Sequence, residues 1–102
     1  MRERQRLYLM GNPFNLNKIG IALNPNKRRR QIELASGSPV HIIKCWETLD
    51  APALEVEQYL HRLFARRRKQ GEWFDNISVT DVEYAGYELK ECNRDGSIRR
   101  ER

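Results

Sequence analysis

Glu57 and His61 stand four residues apart, and Arg28, Arg29 and Arg30 follow one another directly. On a helix, side chains four apart share one face, so Glu57 and His61 could act together. A carboxylate is an oxygen ligand of the kind a magnesium-type ion takes. Such an ion keeps several of its waters, so a single carboxylate can be enough to hold it. An imidazole, with an ordinary pKa of about 6.5, can orient a water or take its proton near neutral pH. A guanidinium presents a planar fork of donors that suits a phosphate better than the point charge of a lysine. Three consecutive arginines span most of a helical turn, so at most one or two of them can reach a single phosphate. Together these are the parts that phosphodiester chemistry needs: charge on the phosphoryl oxygens, a positioned water and help for the leaving oxygen. Each also has a plainer reading, the arginines as an exposed helix face and His61 as a histidine packed at a boundary.

The elements that must position these groups can be read from the pattern of apolar residues. Leu7-Tyr8-Leu9-Met10 is a short apolar run that stops at Gly11-Asn12-Pro13, and a second run begins at Lys18 and continues to Leu23. The pair predicts a β-hairpin with an irregular loop. Asn24 followed by Pro25 predicts an N-cap and a first helical residue, opening a helix that ends near Gly37. Residues 41–47 have strand composition and predict a third strand. From Asp50 to about Lys69, Val56, Leu60, Leu63 and Phe64 fall at helical spacing and predict one buried stripe, with Glu57 and His61 beside it. On that helix Arg62, Arg66, Arg67, Arg68 and Lys69 form a basic surface that could track a nucleic-acid backbone. Ser78 with Asp81 predicts the cap of a last helix over about 79–91, carrying Val82, Ala85 and Leu89, although Gly86 inside it costs roughly 1 kcal/mol. Residues 94–102 have little to bury and are expected to be a flexible charged tail. The expected fold is α+β: a single domain over 1–93, of order ββαβαα, with a small three-stranded antiparallel sheet flanked by helices.

A chain of 102 residues supports one modest core and no second independent one. It carries a net charge of +5 and a pI of about 9.6, in the range where a phosphate-bearing partner is expected. The excess is concentrated at the front, where residues 1–30 hold eight basic side chains against the one acid Glu3. Cys45 and Cys92 lack metal-ligand spacing, and the charged start is not followed by a secretory apolar run. A reducing cytoplasm is therefore expected, with the cysteines as small buried hydrophobes or one disulfide. No stretch approaches the length of a membrane span.

Tyr8 in a first strand, Lys18-Ile19-Gly20 in a second, and Asn24-Pro25-x-Lys27-Arg28 opening a helix resemble the core of the GIY-YIG nuclease superfamily. The order continues with Glu57-x-x-Leu60-His61 and Gly71-Glu72-Trp73-Phe74, which resembles a phage-associated branch with lysine before Ile-Gly. Arg6 stands where the first triplet has glycine, and Lys18 where the second has tyrosine. The resemblance covers about residues 7–75 and implies a metal-dependent endonuclease. It would place Tyr8 at the nucleophile, Arg28 on the phosphate and Glu57 on Mg2+ or Mn2+. His61 would orient or deprotonate a water. A phenol with a pKa near 10 needs a nearby cation to ionise, and Lys18, one strand over, is the expected one. Arg29, Arg30, Arg62, Arg66, Arg67 and Arg68 are expected to contact nucleic acid, DNA before RNA. Glu72, Trp73 and Phe74 are expected to close a core. With no appended DNA-binding domain in the sequence, either specificity is low or a homodimer or a protein partner is expected to supply it. The departures at Arg6 and Lys18 leave a rival reading, a nuclease-fold module that binds nucleic acid or a protein without turnover.

Overall fold

In the computed structural model, residues 4–98 are described. β1 (Arg6–Gly11) and β2 (Leu16–Ala22) form the expected antiparallel hairpin, with Tyr8 directly opposite Gly20 and Met10 opposite Lys18. α1 (Pro25–Ser36) opens as expected: the Asn24 side chain accepts from the Lys27 amide at 3.0 Å, and Gly37 closes the helix in the left-handed region. β3 (His41–Thr48) pairs antiparallel with the other side of β1, through a bulge opposite Leu9 and Met10.

After β3 the chain departs from the expected order. α2 (Ala53–Leu63) is followed by a 3-10 turn at Ala65–Arg67 and a hairpin of β4 (Arg68–Gln70) and β5 (Trp73–Asp75). α3 (Val79–Glu83) is a helix of five residues, and β6 (Leu89–Glu91) comes after it. The sheet therefore has six strands, in the order β4-β5-β2-β1-β3-β6, every pairing antiparallel. This corrects the expected three-stranded sheet and the order ββαβαα, while the α+β class holds. The three missed strands have three residues each, too few to display an alternation of period two. Arg68-Lys69-Gln70 consists of good helix formers, so composition alone extends α2 through it. α2 stops at Leu63. Val56, Leu60 and Phe64 are buried, whereas Leu63, expected in the same stripe, is about half exposed.

The sheet is covered on both faces. On one, Leu7, Leu9, Ile19, Trp46 and Phe74 meet Val56 and Leu60 from α2, Phe64 just beyond it and Val82 from α3. On the other, Tyr8, Met10, Ile42 and Cys45 meet Ile32 from α1, with Val40 and Cys92. This explains why β1 reads as an unbroken apolar run. A leucine as completely buried as Leu60 stabilises the fold by about 1.5–3 kcal/mol.

Cys45 and Cys92 are free thiols on neighbouring backbone, joined by the Cys92 amide to Cys45 carbonyl bond of 3.0 Å. Contact with Cys92 and burial hold the Cys45 thiol up and protonated, and it donates to the Asn93 carbonyl. The chain expected to fray from residue 94 is tied down as far as Ser97. The Asn26 amide donates to the Arg94 carbonyl at 2.8 Å, and Arg6 Nε donates to the Gly96 carbonyl at 2.9 Å. Residues 99–102 of that tail, like Arg2 at the front, lie outside the described residues. No helix among the described residues is long and apolar enough to cross a membrane.

Candidate active site at the open edge of the second strand

β5 covers β2 only from Leu16 to Lys18. Beyond Lys18 the outer edge of β2 is open, and α2 runs past it. The exposed backbone group there is taken up by a side chain: His61 Nε2 lies 2.8 Å from the Ile19 carbonyl oxygen. A carbonyl only accepts, so Nε2 carries the hydrogen, and Nδ1 is the ring nitrogen left to accept. The same bond fixes the ring, which also leans on Phe74 with centroids 5.1 Å apart.

Glu57 lies one turn before His61 and faces the same edge. Glu72 arrives from the opposite side, on the turn between β4 and β5 that Gly71 makes with a positive φ of 57°. Glu57, His61 and Glu72 each bring a ligand atom to within 4.8 Å of the others. The set fits a small divalent ion: the two carboxylates are oxygen donors of the kind magnesium or manganese takes, and the His61 imidazole stands beside them. Opposite ligands on such an ion lie about 4.2 Å apart, twice a bond of about 2.1 Å, so the groups are already nearly close enough. Burial pushes the Glu57 carboxyl above its usual range, and the charge of Glu72 adds to this while His61 and Lys18 oppose it.

Lys18 is buried, with its Nζ 2.9 Å from Glu72 Oε2 and 5.7 Å from the centre of the Trp73 ring. Tyr8 lies on the same sheet face and is only 2% exposed. Its ring fills the space that the missing side chain of Gly20 leaves open. A Cβ at position 20 would collide with the Tyr8 hydroxyl oxygen and sit 2.5 Å from Cζ. The cation beside this hydroxyl is Arg28, not Lys18 as expected. Burial raises the Tyr8 pKa, and the hydrogen bond and charge of Arg28 only partly oppose it. Tyr8 is therefore a phenol at neutral pH.

The structure brings Tyr8, Arg28, Glu57, His61 and Lys18 to one place. The basic residues separate into two kinds. Arg29 is engaged inside the fold, with Glu33 at 2.8 Å and the Val40 carbonyl at 3.3 Å. Arg67, although exposed, holds Asp81 at 3.3 Å and the Asn76 carbonyl at 3.2 Å. Arg30, Arg62, Arg66 and Arg68 are exposed, the last lying over the Phe74 ring at 5.3 Å. Glu55 points elsewhere and accepts from the Tyr87 hydroxyl. The residue that sequence reasoning missed is Glu72, because a glutamate beside two aromatics reads as part of a core-closing turn. Only the β4–β5 hairpin, itself invisible to periodicity, carries it to the edge.

No curated protein and no solved structure matches the chain. The sequence profile of one family does match, over residues 6–92, a span that includes every residue of the cluster. That family is nuclease-associated, which makes the domain a nuclease-like or DNA-binding module. The chain belongs to the T5orf172 domain family, a phage-associated domain found in homing-endonuclease-like proteins.

Proposed function

We propose that this protein is a metal-dependent endonuclease of the GIY-YIG type, hydrolysing phosphodiester bonds in nucleic acid, DNA before RNA. The observation that carries the reading is the meeting of Tyr8 and Arg28 with the Glu57, His61 and Glu72 cluster at one strand edge. Glu57 would hold the ion, Mg2+ or Mn2+. When bound, that ion supplies positive charge to the phosphoryl and leaving oxygens. Arg28 binds the same phosphate through its fork of donors. Tyr8, kept protonated by burial, donates a hydrogen bond that positions the attacking water and does not act as the base. The base is His61, whose Nε2 is occupied by Ile19 and whose Nδ1 can accept the proton as the water oxygen bonds to phosphorus. The P–O bond to the leaving sugar oxygen breaks, and that oxygen takes a proton from solvent.

The test is an incubation of the full chain with supercoiled plasmid and with single-stranded RNA, with and without Mg2+, beside Glu57→Ala and Arg28→Ala. The expected outcome is Mg2+-dependent nicking of the plasmid that both variants abolish while remaining folded. No cleavage of either nucleic acid across Mg2+, Mn2+ and Ca2+ would sink the enzyme reading. The near-complete burial of Tyr8 supports a second reading, a nuclease-fold module that binds nucleic acid without cutting it. For that module the same incubation gives salt-sensitive binding and no product.

A further inference from the structure

Two carboxylates held within 4.8 Å of one another repel, and a fold tolerates this where one of them stays protonated or where positive charge stands beside them. Here Lys18 stands beside Glu72. It is buried at 8% exposure, its Nζ is 2.9 Å from Glu72 Oε2, and the face of Trp73 limits where it can go. Glu72 is less constrained. Its side chain is 44% exposed, and it sits on a two-residue turn with its backbone next to Gly71. Glu57 and His61 are fixed by α2 and by the Ile19 carbonyl.

Resting on the metal-dependent reading above, we infer that Glu72 is a second oxygen ligand of the ion and that Lys18 is a built-in competitor for it. The ammonium occupies the position of positive charge until a divalent ion replaces it at the Glu72 oxygens. Lys18 pairs with one of the two carboxylates, whereas a dication can be held by both at once and is attracted more strongly by each. The ion is thereby held between two separate elements, α2 and the β4–β5 turn. Its binding would draw the hairpin toward the open edge of β2.

A purely structural ion pair and a ligand with its competitor predict different signs. If Lys18 and Glu72 only fasten the hairpin, removing either partner has the same effect. If Glu72 is a ligand and Lys18 its competitor, the two removals act in opposite directions. Mn2+ binding to the full chain, read from the electron paramagnetic resonance of the free ion, separates these for wild type, Glu57→Gln, Glu72→Gln, Glu72→Asp and Lys18→Met. Metal-free melting curves establish that each variant is folded. The expected result is affinity lowered on the order of tenfold by Glu57→Gln and by Glu72→Gln, partly restored in Glu72→Asp, and raised by Lys18→Met. Glu72→Gln binding Mn2+ as wild type does, while Glu57→Gln is weakened, overturns this inference and leaves the metal reading standing. Lys18→Met weakened like Glu72→Gln overturns the competitor role. Absence of Mn2+ binding by wild type removes the metal reading itself, and this inference with it.

Discussion

At the scale of single residues, the site depends on one that has no side chain. Gly20 faces Tyr8 across the hairpin, and the space above it is filled by the phenol ring. Gly20→Ala must push the ring or the strand aside, and overpacking of this kind costs typically about 1–3 kcal/mol. The expected outcome is a lower melting temperature together with loss of plasmid nicking. Tyr8→Phe makes the complementary change, keeping the ring and deleting the hydroxyl. It should fold with near-wild-type stability and cut on the order of 10²-fold more slowly. Wild-type melting of Gly20→Ala would show that the ring and the strand do not need the gap.

At the scale of elements, α3 is too short to stand alone and is held by its ends. Its start has the reciprocal Ser78 and Asp81 cap, and its last residue, Glu83, accepts from Lys44 at 2.5 Å and from the Trp46 indole at 2.9 Å. Those two bonds hold the Glu83 carboxyl below its usual range, the Lys44 bond contributing most. A depressed folded pKa means that the ionised form is favoured by folding. The stabilisation is complete above the unfolded value of about 4.3 and fades as pH falls through the folded value. Glu83→Gln should therefore melt below wild type at neutral pH, with the gap closing as pH is lowered from about 4. Melting curves over that range test this, and a gap independent of pH would assign the loss to packing. The β4–β5 hairpin is likewise a small element with a large effect, since it decides where β2 is covered, where it is open, and that Glu72 lies at the boundary.

At the scale of the whole molecule, a charge of +5 attracts any nucleic acid, and the structure determines which arginines can use it. Arg28 is exposed at the site, whereas Arg29 is tied to Glu33 and Val40. Arg28→Ala should reduce the slope of log affinity against log salt for duplex DNA by about 0.9, the release expected for one phosphate contact. Arg29→Ala should leave that slope alone and lower the melting temperature. A titration of binding against salt for the two variants checks both, and equal slopes would contradict the separation. One such cluster among the described residues of each chain also means that plasmid should be nicked before it is linearised.

The hairpin of β1 and β2, the capped start of α1, β3 and the buried stripe of α2 were legible in the sequence. Each is long enough to display its period, or begins with residues such as Asn24 and Pro25 whose local chemistry has one use. Tyr8, Arg28 and Glu57 were marked by the resemblance to the GIY-YIG core, and His61 by its place four residues after Glu57. The short strands β4, β5 and β6 were not legible, because a three-residue strand gains its stability from the neighbour it pairs with and not from its own composition. The same dependence hid Glu72 and reassigned Lys18 from Tyr8 to Glu72. From its sequence, Tyr8 is a tyrosine that ionises with help from a cation. Its burial under α1 beside Arg28, which keeps it a phenol, comes from packing between segments distant in the chain. Residue types and local order were thus determined by the sequence itself. Which groups face one another across the open edge of β2, and in what protonation state, was decided only by the tertiary structure, because burial and charge proximity arise only once the sheet has closed around them.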